Sequence, residues 1–129
     1  MTSELRVTTL SNATGNGPVT MTQQSAARLF VNFNGTGTPA IRDTLNVSTL
    51  TDNGAGDYRL NYTTNFANVN YALSHGQKNG TTGRTFVTAG GAGQTDPTTS
   101  NSEMMLYNEG STAYIDPAFV YAIGHGDLA

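Results

Sequence analysis

The sequence predicts an all-β fold, either an antiparallel β-sandwich or a barrel-like domain. Several segments alternate apolar and polar side chains with a period of two residues, as strands with one buried face do. The segments between them are rich in Gly and Asn, which favour tight turns, and Thr, which favours strands, is abundant. Charged residues make up only 12% of the 129-residue chain, unlike a charged disordered segment.

Residues 1–25 are predicted to form an N-terminal arm that precedes a β-structured domain over residues 26–129. Glu4 to Leu10 can form a short strand in which Leu5 and Val7 share one face. Such a strand buries too little apolar surface to fold alone. We therefore expect the arm to attach to a neighbouring subunit or to another protein, with Leu5 and Val7 as candidate interface residues.

The clearest strand pattern follows the arm. Its predicted buried face consists of alternate apolar residues, which are Ala27, Leu29, Val31 and Phe33. The opposite face is polar except for Phe30. An aromatic side chain on an otherwise solvated face indicates a contact surface, so Phe30 is predicted to lie in a subunit interface. A turn over Asn34 to Pro39 ends the strand.

Three more strands are predicted to continue as an antiparallel meander. They cover Thr44 to Thr49, Tyr58 to Thr63 and Val69 to Ser74. The segment Asp52 to Asp57 contains an Asn-Gly pair, which predicts a hairpin, here with a loop longer than two residues. Gly54 is expected to adopt a positive φ in that hairpin.

The C-terminal half is predicted to hold two glycine-rich loops and three short strands. The loops are His75 to Gly83 and Gly90 to Ser102, and we expect Gly76 to Gly83 and Gly90 to Asp96 to face solvent. The strands cover Arg84 to Ala89, Glu103 to Asn108 and Ala118 to Gly124. The last strand is expected to close the domain.

The chain has little apolar material for its length. Hydrophobic residues make up 36% of it, below the roughly 45–50% of an average soluble domain. A chain with a thin core gains stability by burying sheet surface between subunits. The composition therefore favours a homo-oligomer over a monomer.

Charge and cysteine content exclude several function classes. The net charge is −3 and the basic residues are spread singly along the chain, which argues against a nucleic-acid partner. No segment approaches the roughly 20 apolar residues of a membrane-spanning helix, so membrane insertion is not expected. The absence of cysteine excludes disulfides and thiolate metal sites.

No catalytic or metal-binding motif is present in the sequence. His75 and His125 lack the spacing of metal ligands, so we expect them at loops or strand ends. The aspartates that might form a glycosidase pair mostly lie beside Gly, Pro or Asn, where turn chemistry explains them: Asp43, Asp52, Asp57, Asp96 and Asp116. We predict a protein that is not an enzyme and that has no cofactor.

The late tyrosines offer the one alternative to a purely structural interpretation. Tyr107, Tyr114 and Tyr121 are close together in sequence. Core filling is the simpler explanation, but tyrosine also suits stacking against a sugar ring because it combines an apolar ring with a polar tip. Tyr107 and Tyr114 are therefore candidate glycan contacts.

A family resemblance adds context to these predictions. Ala26 to Leu73 resembles a module of bacteriophage tail-fibre and related virion proteins, with an aromatic strand before NFNGTG, an IRD turn and a DNG-GDY hairpin. Ser3 to Met21 is similar to the leader that precedes this module, and Asp116 to Asp127 is similar to its terminal strand. The loops from His75 to Ser102 match less well.

The resemblance implies a non-enzymatic virion structural protein that assembles as a homotrimer. A tail-fibre or receptor-binding subunit is the first expectation, and a capsid decoration protein is the second. A carbohydrate-binding module that recognises host-surface glycan is an alternative from another class. The implied partners are further copies of the chain, other virion proteins and host-surface glycan, and the implied location is the virion, after synthesis in the host cytoplasm.

Overall fold

The computed structural model describes residues 26–78, 85–88, 95–108 and 113–129, and for residues 85–88 it describes the backbone. The predictions for the arm, including those for Leu5 and Val7, lie outside the described residues. The described chain folds into two antiparallel β-sheets with no helix, which confirms the predicted all-β class.

The first sheet has four strands and the second has five. The strands are β1 (Leu29–Asn34), β2 (Ala40–Leu45), β3 (Val47–Gly54), β4 (Asp57–Tyr62), β5 (Ala72–Lys78), β6 (Thr85–Thr88), β7 (Asn101–Asn108), β8 (Ala113–Tyr114) and β9 (Phe119–His125). The first sheet has the order β2-β1-β9-β5. The second has the order β3-β4-β7-β6, and β8 pairs with β7.

The core lies between the sheets and is built from alternate residues of their strands. The predicted inward face of β1 is confirmed, since Leu29, Val31 and Phe33 are buried. Tyr58, Leu60 and Tyr62 of β4 are also buried, as their alternation predicts. The other large buried side chains of this cluster are Val47, Phe66, Met104, Leu106 and Val120.

The predicted meander is wrong, because sequence neighbours do not pair throughout. β1 pairs with β2 and with β9, the last strand, and β4 pairs with β7. β9 lies between β1 and β5 in the interior of the first sheet, so it closes the domain from the middle of a sheet. Pairing between distant strands follows from the whole topology and not from local periodicity.

The predicted strand Thr44 to Thr49 is broken into two. Asn46 has a φ of 63°, which asparagine tolerates better than most residues, and it separates β2 from β3. Its side chain fixes this bend by donating to the Thr64 carbonyl at 3.0 Å and accepting from the Thr64 N–H at 2.7 Å. Residues 41–43 belong to β2, so the expected IRD turn is also wrong.

The predicted hairpin between β3 and β4 is confirmed, although its loop is shorter than expected. Gly54 pairs with Asp57, which leaves the two residues Ala55 and Gly56 in the loop. Gly54 and Gly56 have φ values of 140° and 67°, so the positive φ predicted for Gly54 is confirmed.

β5 lies later in the chain than predicted. It begins at Ala72, so Val69 lies outside it and is exposed. The strand continues through His75 and Gly76 to Lys78, where turns were expected, because it pairs with β9 along its whole length. Pairing with a complete neighbouring strand thus overrides the weak strand propensity of the Gly-containing segment.

β7 confirms the predicted strand Glu103 to Asn108 and begins two residues earlier. It is buried from Ser102 to Leu106, so both of its faces are covered. The carboxylate of Glu103 accepts the Thr95 N–H at 2.9 Å and is paired with Arg59. These contacts hold the start of the segment 95–100 against the sheet and lower the pKa of Glu103. β6 confirms the strand predicted between Arg84 and Ala89.

Candidate contact face

The side of the four-stranded sheet that faces away from the core is the candidate functional site, and we call it the outer face. Because Leu29, Val31 and Phe33 point inward, Phe30 and Asn32 point outward. Residues paired across neighbouring strands lie on the same side of the sheet, so their partners also belong to the outer face. The outer face contains Phe30, Asn32, Asp43, Leu45, Ser74, Gly76, Lys78, Phe119, Tyr121 and Ile123.

An apolar row crosses three strands of the outer face. Phe30 pairs with Leu45 on one side and with Ile123 on the other. Leu45 is 46% exposed and Ile123 is 42% exposed, and Phe30 is partly exposed. Phe30 therefore points outward as predicted, but its surroundings are apolar where a polar face was expected.

Tyr121 is the next residue along the outer face and is fixed against a glycine. It pairs with Gly76 of β5, and a Cβ added to Gly76 would overlap the Tyr121 ring. The ring therefore lies on the backbone of Gly76, yet Tyr121 remains 48% exposed. Aromatic cover of this kind stabilises a glycine within a strand. The result is a rigid aromatic surface that is open on one side.

Phe119 lies at the far end of the outer face, close to two cations. The guanidinium carbon of Arg42 is 4.4 Å from the Phe119 ring centroid, and Lys78 Nζ is 5.7 Å from it. Arg42 is held in place by hydrogen bonds to the Phe33 carbonyl at 2.9 Å and the Ala118 carbonyl at 2.6 Å. A cation in this position is attracted by the π-face of the ring.

A shallow depression of about 490 Å³ lies in the middle of the outer face. Its side-chain lining includes Phe30, Tyr121 and Ile123 on the apolar side and Asn32, Asp43 and Ser74 on the polar side. Its volume falls within the range of small-molecule sites, and mixed apolar and polar walls are typical of them.

The structure brings together basic residues that are far apart in sequence. Arg42 and Lys78 both lie near the Phe119 ring, whereas Arg28 lines a separate pocket with Leu45 near the other end of β1. Within the described part of the chain, the ion pair formed is Arg59 with Glu103, in the other sheet, and Arg42 and Lys78 have no carboxylate partner. Isolated positions in the sequence therefore do not reveal that two of these residues lie near one aromatic ring.

The candidate glycan contacts Tyr107 and Tyr114 are brought together, but on the five-stranded sheet. They are cross-strand partners, and their ring centroids are 5.6 Å apart in an edge-to-face arrangement. Tyr114 is 46% exposed. Tyr121 belongs to the other sheet, so the three late tyrosines do not form one cluster.

His75 and Asp116 have structural surroundings. His75 lies within β5, not at a strand end; its Nε2 is buried without a hydrogen-bond partner among the described residues, and burial lowers its pKa. Asp116 Oδ1 accepts the Tyr58 hydroxyl at 2.6 Å and the Gly56 N–H at 2.7 Å. Burial and this carboxylate raise the pKa of Tyr58. Asp116 thus ties the β3–β4 hairpin to the segment before β9.

Sequence reasoning missed the roles of Arg42, Lys78, Phe119 and Tyr121. The alternation of Phe119, Tyr121 and Ile123 with Val120 and Ala122 was visible in the sequence. However, the smaller residues of β9 point into the core and the larger ones point outward. Periodicity identifies two faces without deciding which one is buried.

Comparison with known proteins gives no relative for this chain. No family model matches it, and neither a curated protein nor a solved structure is similar to it. Across the described ranges, no three or more His, Asp or Glu side chains are grouped so that they could hold a metal ion. The same residues contain no helix long and apolar enough to span a membrane.

Proposed function

We propose that the protein is a non-enzymatic bacteriophage virion structural subunit that assembles as a homotrimer. The observation that carries this proposal is the apolar row of Leu45, Phe30 and Ile123 on the outer face. Contiguous exposed apolar side chains are typical of protein interaction surfaces. A structural subunit needs such a surface, and a catalytic role would need a reactive cluster instead.

The energetics of the row favour contact between copies. Covering the exposed part of each of these side chains contributes on the order of 1 kcal/mol. Every subunit contributes the same row, so a closed homo-oligomer multiplies this gain. The low apolar content of the chain, 36%, makes the added burial important for stability.

The resemblance of residues 26–73 to phage tail-fibre modules supplies the context of the proposal. A tail-fibre or receptor-binding subunit is the first form, with the arm over residues 1–25 attached to a neighbouring subunit or another virion protein. Capsid decoration is the second form. Labelling the protein on intact particles separates the two, because tail and capsid positions are resolved by electron microscopy.

Light scattering on the purified full chain tests the assembly. We expect a mass three times the 13.6 kDa of the chain. Phe30→Ser and Ile123→Thr should shift the protein toward monomer, because each removes part of the apolar row. Val69→Thr is the matched control, since Val69 is 55% exposed but lies outside the outer face. A folded wild-type monomer at micromolar concentration, or trimers that persist in both variants, would contradict the proposal.

A carbohydrate-binding module is a second candidate function. The exposed edge-to-face pair of Tyr107 and Tyr114 favours it, because an exposed tyrosine ring fixed by a neighbour suits stacking against a sugar. In a saccharide-binding measurement, weaker binding by a Tyr114→Leu variant would place the site at this pair. Unchanged binding would place it on the outer face instead.

A further inference from the structure

We propose that the outer face binds an acidic polysaccharide, a chain of sugars that carry carboxylates, across Tyr121 and the cations around Phe119. The proposal rests on the receptor-binding form of the proposed function and names the chemistry of the receptor. It places the site on the four-stranded sheet, away from the Tyr107–Tyr114 pair.

Tyr121 provides the stacking surface. One side of its ring is fixed against Gly76, so little side-chain freedom is lost when a ligand covers the other side. The hydroxyl at the tip of the ring adds a hydrogen-bonding group. The aliphatic face of a sugar ring matches this combination of an apolar ring and a polar tip.

Arg42 and Lys78 provide the charge complementarity. Both lie near the Phe119 ring, two residues along β9 from Tyr121. Hydrogen bonds to backbone carbonyls position Arg42 but do not exhaust the N–H donors of its guanidinium. Neither cation has a carboxylate partner among the described residues. A carboxylate of a sugar stacked on Tyr121 supplies the missing negative charge.

The polar residues beside the stacking surface favour a ligand rich in hydroxyl groups. Asn32 pairs with Tyr121 on one side and with Asp43 on the other, which places an amide and a carboxylate in a row with the ring. An aspartate accepts hydrogen bonds from sugar hydroxyls. A nucleic acid is bound through many more cationic contacts than this face offers.

The site and the apolar row are neighbours on the same face. Leu45 and Phe30 extend away from Phe119, whereas Arg42 and Lys78 gather around it. Contact between subunits at the apolar row therefore leaves the cationic end at the margin of the interface. A polysaccharide chain can follow that margin from one subunit to the next, which strengthens binding through multivalency.

Isothermal titration of the full chain with an oligogalacturonate and with its methyl ester tests the proposal. The two probes share a sugar chain and differ in charge, so we expect the acid to bind about tenfold more tightly than the ester. Raising the salt concentration should reduce this difference. Failure to bind the acid, or equal binding of acid and ester, would overturn the proposal.

Two pairs of variants locate the site. Tyr121→Leu and Lys78→Gln should each weaken binding by about fivefold. Tyr114→Leu removes a tyrosine from the other sheet, and Thr51→Glu changes the net charge as Lys78→Gln does, so both controls should bind like the wild type. If Tyr121→Leu fails to fold, the Lys78→Gln variant alone tests the site, and wild-type binding by that variant would overturn the inference. Weakening by Tyr114→Leu alone would move the site to the Tyr107–Tyr114 pair and overturn the inference.

Two further outcomes separate this inference from the proposed function. Tighter binding of a single-stranded oligothymidylate than of the oligogalacturonate would overturn the inference and identify a nucleic-acid surface. Light scattering on the same samples reports assembly independently. A trimer that binds neither probe contradicts the inference alone, whereas a monomer that binds the acid supports the inference and contradicts the proposed trimer.

Discussion

Individual glycines at positive φ set the geometry of the turns, and two of them share nearly the same φ but differ in the space around them. Gly37 and Gly56 have φ values of 68° and 67°. A Cβ added to Gly37 meets no atom within 4 Å, whereas one added to Gly56 lies 2.5 Å from the Leu106 carbonyl oxygen and 2.8 Å from that of Ile115. A side chain at either position would strain the backbone, but only a side chain at Gly56 would also clash with neighbouring atoms.

Replacing each of these glycines with alanine should therefore have unequal effects. Gly37→Ala is expected to lower the free energy of unfolding by about 1 kcal/mol, the cost of placing a Cβ at positive φ. Gly56→Ala should cost at least about 2 kcal/mol more, because backbone must move to admit the Cβ. Urea unfolding of the two variants measures the difference. Equal losses would show that the hairpin adapts without strain.

Single residues also mark where sequence reasoning succeeded and failed. The outward position of Phe30 and the positive φ of Gly54 were predictable, because each depends on local alternation or a local turn. The bend at Asn46 was not predicted, since it depends on hydrogen bonds to Thr64, eighteen positions later. The cations around Phe119 were missed for the same reason: they come from β2 and β5, which meet β9 only in the fold.

At the scale of elements, most strands were predictable and their pairing was not. β1, β4 and β7 carry strong alternation or apolar runs, and all three were found. The predicted position of β5 was too early in the chain, because the segment with His75 and Gly76 is typical of a turn. Pairing with β9 holds that segment in an extended conformation. Periodicity reports the local chain, whereas sheet order depends on contacts between distant segments.

β5 also contains a group that makes stability depend on pH. The buried His75 side chain has a lowered pKa, so the unfolded chain, in which histidine has its ordinary value of 6.5, binds the proton more readily. Stability should therefore fall as the pH decreases below about 6.5, and should level off below the pKa of the folded state. The pKa of Glu103 is also lowered, so the loss of stability that accompanies its protonation occurs at lower pH, below its ordinary value of 4.5.

Denaturant unfolding at pH 7.5 and pH 5.5 should detect this dependence. We expect the wild type to be less stable at the lower pH, and His75→Gln to lose most of the difference because it removes the titrating group. Both measurements lie above the range of Glu103, so the two contributions remain separate. An unchanged pH dependence in His75→Gln would show that His75 is not its source.

At the scale of the whole molecule, the two sheets differ in what they leave uncovered. The five-stranded sheet buries β7 on both faces and pairs its internal charges, as Arg59 with Glu103 shows. The four-stranded sheet exposes an apolar row on its outer face, together with Arg42 and Lys78, which have no carboxylate partner among the described residues. This asymmetry distinguishes the outer face, on which the trimer and polysaccharide proposals rest, from the more fully paired sheet.

An assembly that buries the apolar row of the outer face must make thermal stability depend on protein concentration. Association that occurs only in the folded state raises the unfolding temperature as concentration increases. We expect the wild-type midpoint to rise over a hundredfold range of concentration, because each folded trimer unfolds into three separate chains. The added stability is about two thirds of RT ln 100, or roughly 1.8 kcal/mol per subunit. Scanning calorimetry or circular dichroism measures the shift.

The Ile123→Thr variant supplies the comparison that separates assembly from intrinsic stability. Ile123 is largely outside the core, so the substitution should change the folded subunit little while removing an apolar contact between subunits. Its midpoint should therefore be low at every concentration and nearly constant. Val69→Thr, on the other hand, should keep the concentration dependence of the wild type. A wild-type midpoint that does not move with concentration would mean that the apolar row is not covered by other copies, and the stability of the chain would then reside in its single core.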